Sequence, residues 1–340
     1  MDKHQRMTAA LSGQVPDRTP VWFMRQAGRY LPEYMAVRSE VSFLELCGSP
    51  ELAVKVTLQP IDRFDCDAAI IFSDILTVLE ACGREVQFIK GSGPRLPQPV
   101  RTVEDARSLS RPDGVGPVLQ VAADSIAQFR RVRPDTPILG FAGAPFTLLC
   151  YLVEGSGSKN WVHTKRLLFT QPKLAQQLLD LLADVVGDHL QNQIDHGALA
   201  VQMFDTWAGA LSPEDYRRWA LPAAQRALAR VKGAPRIYFT KDSSCFLPWL
   251  TETGCDVVGL DWRVDLAAAR QVLGPDIPIQ GNLDPVALYG PAEEITGKVH
   301  RILDAAGPRG HVFNLGHGVL PDTPIAGVEA MIAAVRSHQR

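Results

Sequence analysis

Short apolar runs bounded by turn-forming residues recur along the chain at 20–24, 68–74, 137–143, 198–205, 235–241, 257–262, 278–284 and 311–317. A strand with one face in water alternates apolar and polar positions, whereas these runs are nearly continuous, as in "AAIIFSD" and "ALAVQMFD". They therefore predict strands covered on both faces, which is the condition of a parallel sheet. Between the runs lie stretches with apolar residues at helical spacing. The segment 171–197 stops at Gly197, and 212–233 opens with Ser212, Pro213 and two acids and closes on Lys232 and Gly233, so both carry helix start and stop signals. A last helix is predicted to begin around Thr323 and Pro324.

Eight strands alternating with helices predict an α/β fold of the (β/α)8 or TIM-barrel type. An open doubly wound sheet fits less well, because the chain has neither a G-x-G-x-x-G fingerprint nor a midpoint that would mark a switch in strand order. Residues 85–100, "EVQFIKGSGPRLPQPV", read as an inserted hairpin with a Gly-Ser-Gly-Pro turn. No repeat or linker of domain size interrupts the pattern, so residues 1–340 are expected to form one domain. Barrels with helices outside routinely reach this length.

With 46% hydrophobic and 21% charged residues the composition is that of an ordinary globular protein. A formal charge of −2 and a pI near 6.5 give no general pull toward nucleic acid or an anionic membrane. The start "MDKHQRMTAALSG" lacks the layout of a secretory signal, and no apolar stretch reaches the roughly 18 residues of a membrane span. A cytoplasmic location is expected. The six cysteines are scattered, with no C-x-x-C pair and no His at metal-ligand spacing, so neither a disulfide framework nor a zinc site is predicted. The cations are 26 arginines against nine lysines, and arginine is the better fork for carboxylates and phosphates.

In a barrel of this kind reactive groups sit where strands end. Those positions hold Arg25 and Arg29, Asp74, Asp205 and Thr206, Lys241 and Asp242, Asp261, Asn282 and Asp284, and His317, with Tyr151 slightly beyond its strand. Each has a structural alternative. Arg25 and Arg29, four apart, fit a solvated helix face; Asp205 and Asp284 fit caps or turns, and Thr206 could cap one. Asp261 and Asn282 could bridge strands, His317 could serve a glycine-flanked turn, and Tyr151 could be core. Asp74 resists such a reading most. It is a lone carboxylate in the mostly apolar stretch "AAIIFSDILTVLE", and burying it is costly without donors. A pocket holding one acid among cations follows.

"PVWFMRQAGRYLPEY" and "GFAGAPFTLLCYLVEGSGSK", supported by "IIFSDIL" and "NLGHGVLPDTP", closely resemble the signature stretches of the uroporphyrinogen decarboxylase family, in the same order and over essentially the whole chain. The resemblance implies a single (β/α)8 barrel, a homodimer, and conversion of uroporphyrinogen III to coproporphyrinogen III by decarboxylation of four acetate side chains, with no cofactor and no metal. Matched motif by motif, it implies substrate contacts from Arg25, Gln26, Ala27, Gly28, Arg29, Asp74, Tyr151, Thr206 and His317. Asp74 would be the catalytic group, and Arg38 would help at the rim. Some members carry serine at the place of Thr206, which keeps the hydroxyl. Other readings are a Schiff-base lysine at Lys241, a zinc-dependent methyltransferase of related fold, and a non-catalytic tetrapyrrole binder. The methyltransferase reading is weakened by the lack of cysteines in "YFTKDS" and "NLGHGV".

Overall fold

The described residues form nine strands: β1 (Ala69–Ile70), β2 (Gln87–Ile89), β3 (Gly93–Arg95), β4 (Ile138–Gly143), β5 (Ala200–Asp205), β6 (Arg236–Thr240), β7 (Val257–Gly259), β8 (Ile279–Gln280) and β9 (His311–Val312). A computed structural model describes residues 1–89, 93–242 and 244–338. Seven strands make one parallel sheet in the order β1-β4-β5-β6-β7-β8-β9. Each strand lies beside its successor in this sheet, and helices fill the connections, so the sheet curls progressively under its own twist. β2 and β3 stand apart as an antiparallel pair, Gln87 opposite Arg95 and Ile89 opposite Gly93. The turn of the expected hairpin falls largely at 90–92, outside the described residues.

The run 20–24 differs from expectation. It makes a single parallel bridge, Val21 to Phe313, instead of a strand. Pro20 has no N–H to give a ladder, and side chains take the place of strand neighbours for the rest. Asp67 accepts from the Val21 N–H at 2.9 Å and Asn314 from the Met24 N–H at 3.2 Å, while the Val21 carbonyl accepts from the Asp67 N–H at 2.9 Å. β1 is likewise short, and the Gln26 amide fills its free edge. That side chain donates to the Ala68 carbonyl at 2.9 Å and accepts from the Ile70 N–H at 3.0 Å.

The segment 212–233 also departs from one continuous helix. Pro213–Asp215 leads into a π-helical turn, Tyr216–Ala220, before the α-helix Leu221–Leu228. Pro222 cannot donate to the Arg218 carbonyl and its ring crowds it, so the helix widens and the Leu221 N–H reaches back to Tyr216. The helix Pro172–Asp195 forms close to the expected span, and the final helix, Ile325–Ser337, starts after Pro324.

Inside the curl, Trp22, Met24, Leu139, Ile237, Phe239 and Val312 pack with Met7, Ala10 and Leu11 of the first helix, Lys3–Leu11. Asp2 starts that helix with a capping box. Full burial of one such large side chain contributes about 1.5–3 kcal/mol. A buried polar chain crosses this interior: Trp22 Nε1 donates to Gln280 at 3.0 Å, and the Gln280 amide donates to Gln202 at 2.8 Å. Beside it, the fully buried Asp67 accepts from Arg6 at 2.8 Å and from both Arg18 terminal nitrogens at 2.7 and 2.8 Å. Removing Asp67 would take the carboxylate from Arg18, while Arg6 would keep its bidentate pair with Asp17.

Candidate active site

At the strand ends the chain encloses a cavity of about 530 Å³. This lies within the usual range for small-molecule sites. Arg25, Gln26, Ala27, Gly28, Arg29, Asp74, Tyr151, Thr206 and His317 all line it.

Arg25 to Arg29 form a loop, and the next helix begins only at Pro32. Their four-residue spacing is therefore not a helix face. Arg25 has left-handed backbone, with φ of 61°, which no α-helix continues through. The Met24 carbonyl accepts from the Val319 N–H at 3.1 Å, tying this turn to the loop after β9. Gly318 completes the fit, because a Cβ there would lie 2.4 Å from Arg25 Cδ. Within the loop only part of the motif faces the cavity chemically. The Gln26 side chain is spent on β1, while the Tyr30 hydroxyl donates to the Gln26 carbonyl at 2.7 Å and braces the turn.

Among the described residues neither Arg25 nor Arg29 pairs with a carboxylate, although about half of the other arginines do. Arg63 is bound to Glu33, Arg226 to Asp184, Arg230 to Asp188 and Arg236 to Asp256. Burial deep in the cavity lowers the Arg25 pKa, and the nearby Tyr151 and Asp74 oppose that. Both guanidiniums therefore have donors to spare for an anion.

Asp74 follows β1 and closes a turn: its Oδ1 accepts from the Leu76 N–H at 2.8 Å, and Thr77 Oγ1 donates to its backbone carbonyl at 2.9 Å. Oδ2 has no hydrogen bond among the described residues. The carboxyl lies deep, yet the cavity leaves it partly open, and burial pushes its pKa up to about 6 against the pull of the Leu76 N–H and of Arg25. At neutral pH it is mostly ionised and ready to gain donors.

Tyr151 projects from the helix Pro145–Glu154, beside Trp207 with ring centroids 6.1 Å apart. Burial raises its hydroxyl pKa, and the Trp207 indole N–H opposes this. That N–H is buried without a partner in hydrogen-bonding geometry, so it acts on Tyr151 as a nearby dipole. His317, in the loop after β9, is pushed down to about 3 by burial and by the charges of Arg25 and Lys241. It is a neutral imidazole.

The remaining strand-end residues serve structure. Asp205 is fully buried and points away from the cavity, unlike its neighbour Thr206. Asp261 accepts from the Arg263 N–H at 2.9 Å, Asn282 donates to the Asp261 and Val264 carbonyls at 2.8 and 2.7 Å, and Asp284 caps the 3-10 turn Pro285–Tyr289. Lys241 is ion-paired with Asp242 at 2.8 Å. Arg38 lies 5.8 Å over the Phe43 ring, outside the cavity lining. Sequence reasoning missed the apolar wall, formed by Phe72, Ile75, Phe141, Phe204, Val319 and Phe88 of β2. Counting back two positions from Thr206 reaches Phe204 on the same strand face, and that is the signal that could have found it. No group of three or more His, Cys, Asp or Glu among the described residues is arranged to hold a metal.

A curled parallel α/β sheet with a cavity at its strand ends, lined by a deep acid and by two arginines without a carboxylate partner among the described residues, is the architecture of an α/β enzyme for a small molecule. A sequence model described as uroporphyrinogen decarboxylase matches residues 2–338, and the chain belongs to that family. It is 48% identical over 338 residues to the uroporphyrinogen decarboxylase of Myxococcus xanthus, covering 98% of this chain and 97% of the relative. To that of Geobacter sulfurreducens it is 47% identical, covering 98% of each. Among solved structures, a methyltransferase from Methanosarcina mazei superposes with a TM-score of 0.81 at 21% identity, covering 99% of this chain and 98% of the other, which is a likeness of fold alone.

Proposed function

We propose that the chain decarboxylates the four acetate side chains of uroporphyrinogen III to give coproporphyrinogen III, as a carboxy-lyase of tetrapyrrole synthesis. The observation that carries this reading is the one acid, Asp74, facing two unpaired guanidiniums in a cavity with an apolar wall. Uroporphyrinogen has an apolar ring system, inward-pointing N–H groups and eight carboxylates, and the cavity offers a counterpart to each.

The chemistry follows from the substrate. Protonation of a pyrrole carbon beside nitrogen gives an iminium-like cation, into which the acetate C–C bond electrons flow as CO₂ leaves. The exocyclic methylene so formed takes a proton to become a methyl group, and loss of the first added proton restores the pyrrole. Each cycle consumes one proton and releases one CO₂. The substrate is its own electron sink, so chelators should leave the rate unchanged.

In this reading Asp74 accepts hydrogen bonds from the pyrrole N–H groups, and its charge favours the protonated ring over the neutral one. Arg25 and Arg29 clamp carboxylates bidentately. Tyr151, Thr206 and the neutral His317 orient further carboxylates or N–H groups. Arginine, with a pKa above about 12, is a poor acid, which leaves Tyr151 and solvent as the more apt proton sources.

We further read the sheet as closing into a (β/α)8 barrel within one domain, with 20–24 as the closing segment. Support comes from Val21, which bridges Phe313 on one side and accepts the Asp67 N–H on the other. The pair β2–β3 reads as the inserted hairpin, since it interrupts the alternation and brings Phe88 and Pro94 to the cavity. Exposed Met35, Leu44 and Ile89 favour a dimer through the face near the mouth. A cytoplasmic location suits a chain whose described helices include none long and apolar enough to cross a membrane. The deciding experiment is anaerobic incubation with uroporphyrinogen III and chromatography of the products. Absence of coproporphyrinogen with folded protein would refute the assignment.

A further inference from the structure

Directly behind the cavity wall lies a buried polar cluster that the proposed reaction does not use. β5 ends at Asp205, and successive strand residues point to opposite faces, so Thr206 reaches the cavity while Asp205 faces the helix layer. Asp205 is wholly buried, and its two oxygens are taken by two hydroxyls: Thr147 Oγ1 donates to Oδ1 and the Tyr238 hydroxyl to Oδ2, both at 2.7 Å. No cation among the described residues pairs with it.

The consequence lies in proton direction. An ionised carboxylate only accepts, so it fixes the hydroxyl hydrogens of Thr147 and Tyr238 toward itself. Thr147 Oγ1 then has a lone pair left over, and it accepts from the Trp207 backbone N–H at 3.1 Å. Asp205 and Thr147 thus form a two-step bridge between the β5 end and the helix Pro145–Glu154. Thr147 lies one helical turn before Tyr151, and Trp207 directly follows Thr206. The Trp207 ring in turn packs against Trp161 at 4.7 Å and against Tyr151 at 6.1 Å. A backbone bond from the Ala144 N–H to the Phe204 carbonyl at 2.8 Å fixes the start of the same helix, leaving the next turn to this bridge.

We infer that Asp205 is a positioning residue for the reaction, acting through Thr147 to hold Tyr151 in place across the cavity from Thr206. The inference rests on the reading of Tyr151 and Thr206 as substrate contacts. A buried acid is a costly way to join a strand to a helix, and an apolar pair would pack as well. What the acid adds is fixed hydroxyl directions, and hence fixed side-chain geometry one turn away. Displacing a contact group by about 1 Å is enough to cost on the order of 100-fold in rate.

Asp205→Asn risks the fold, since an amide N–H₂ would face one of the donors, so the test is placed at the middle of the bridge. Thr147→Val keeps the shape and removes the hydroxyl, and Thr147→Ser restores it. With uroporphyrinogen III as substrate and active protein counted by thermal melting, Thr147→Val should lower kcat about 10- to 100-fold with a smaller change in KM. Thr147→Ser should stay within about threefold of the parent. The decisive readout is a double-mutant cycle: if the bridge works through Tyr151, Thr147→Val added to Tyr151→Phe should cost no more than about threefold further. Unchanged kcat in Thr147→Val, or losses that simply multiply in the double variant, would overturn the positioning role. If Tyr151→Phe and Thr206→Val alone leave turnover intact, the contact reading fails first and takes this inference with it, so the two failures are told apart.

Discussion

Asp74 and Arg25 share one cavity without joining in an ion pair among the described residues. The guanidinium is near enough to hold the Asp74 pKa down, the carboxylate is near enough to raise that of Arg25, and burial opposes both. Had they closed into a salt bridge, each would have satisfied the other and neither would be free for a ligand. Kept apart, the cation can meet a carboxylate and the anion can meet N–H donors.

The pH dependence of turnover should report on this acid. Burial pushes both Asp74 and the positioning residue Asp205 up to about 6, so kcat/KM should fall about tenfold or more per unit below that pH as either carboxyl takes a proton, and a fall that persists in Asp74→Asn would belong to Asp205. His317, pushed down to about 3, is already neutral there and cannot be the source. A pH profile of His317→Gln should keep the fall near 6, and disappearance of that fall would assign it to the histidine.

The clamp reading is tested by Arg29→Lys, which keeps the charge but loses the planar fork. It should raise KM about tenfold, with a smaller change in kcat. Near-parental kinetics in a folded variant would return Arg29 to the role of a surface cation.

Arg25 depends on a glycine packed against its stem. A methyl group at position 318 would lie 2.4 Å from Arg25 Cδ and 2.6 Å from its Cγ, so Gly318→Ala must push the arginine stem aside. Turnover should fall about 10- to 100-fold while the melting temperature changes little, since only one side chain at the cavity has to move. Kinetics and thermal melting on the same preparation separate this from general unfolding.

The residues around this cavity differ greatly in how legible they are in the sequence. Arg25, Arg29, Asp74, Tyr151, Thr206 and His317 stand out in the sequence because polar groups that end apolar runs are conspicuous, and the fold carries them to one cavity. Asp205 and Thr206 end the same run, yet they face opposite sides of the sheet, and a strand apolar on both faces does not announce which is inward. Phe72, Phe141 and Phe204 were hidden for the same reason. The run 20–24 has the composition of a strand; its partners are one backbone bridge to Phe313 and contacts with Asp67 and Asn314, with Phe313 and Asn314 hundreds of positions away, and no local pattern encodes them. The break at Tyr216–Ala220 was signalled by Pro222, which a helix-period reading passed over.

The sharpest prediction concerns the charge on Asp74. Asp74→Asn keeps an acceptor for the Leu76 N–H, so the turn at 74–77 should survive, and it removes only the negative charge from the cavity. If that charge favours the protonated pyrrole, its loss should lower turnover about 100-fold or more, because one charge-assisted interaction in a dry site is worth several kcal/mol at the transition state. Stability should move the other way. The folded carboxyl holds its proton more tightly than the unfolded one, so ionising it costs stability as pH rises from about 4 through about 6, and the neutral amide avoids that cost. At pH 7 the variant should therefore melt higher by the equivalent of about 1 kcal/mol or more. Asp74→Glu keeps the charge but pushes it about one methylene further into the cavity, and should retain partial activity. A folded Asp74→Asn protein that still decarboxylates within about threefold of the parent would reduce Asp74 to a turn-forming acid.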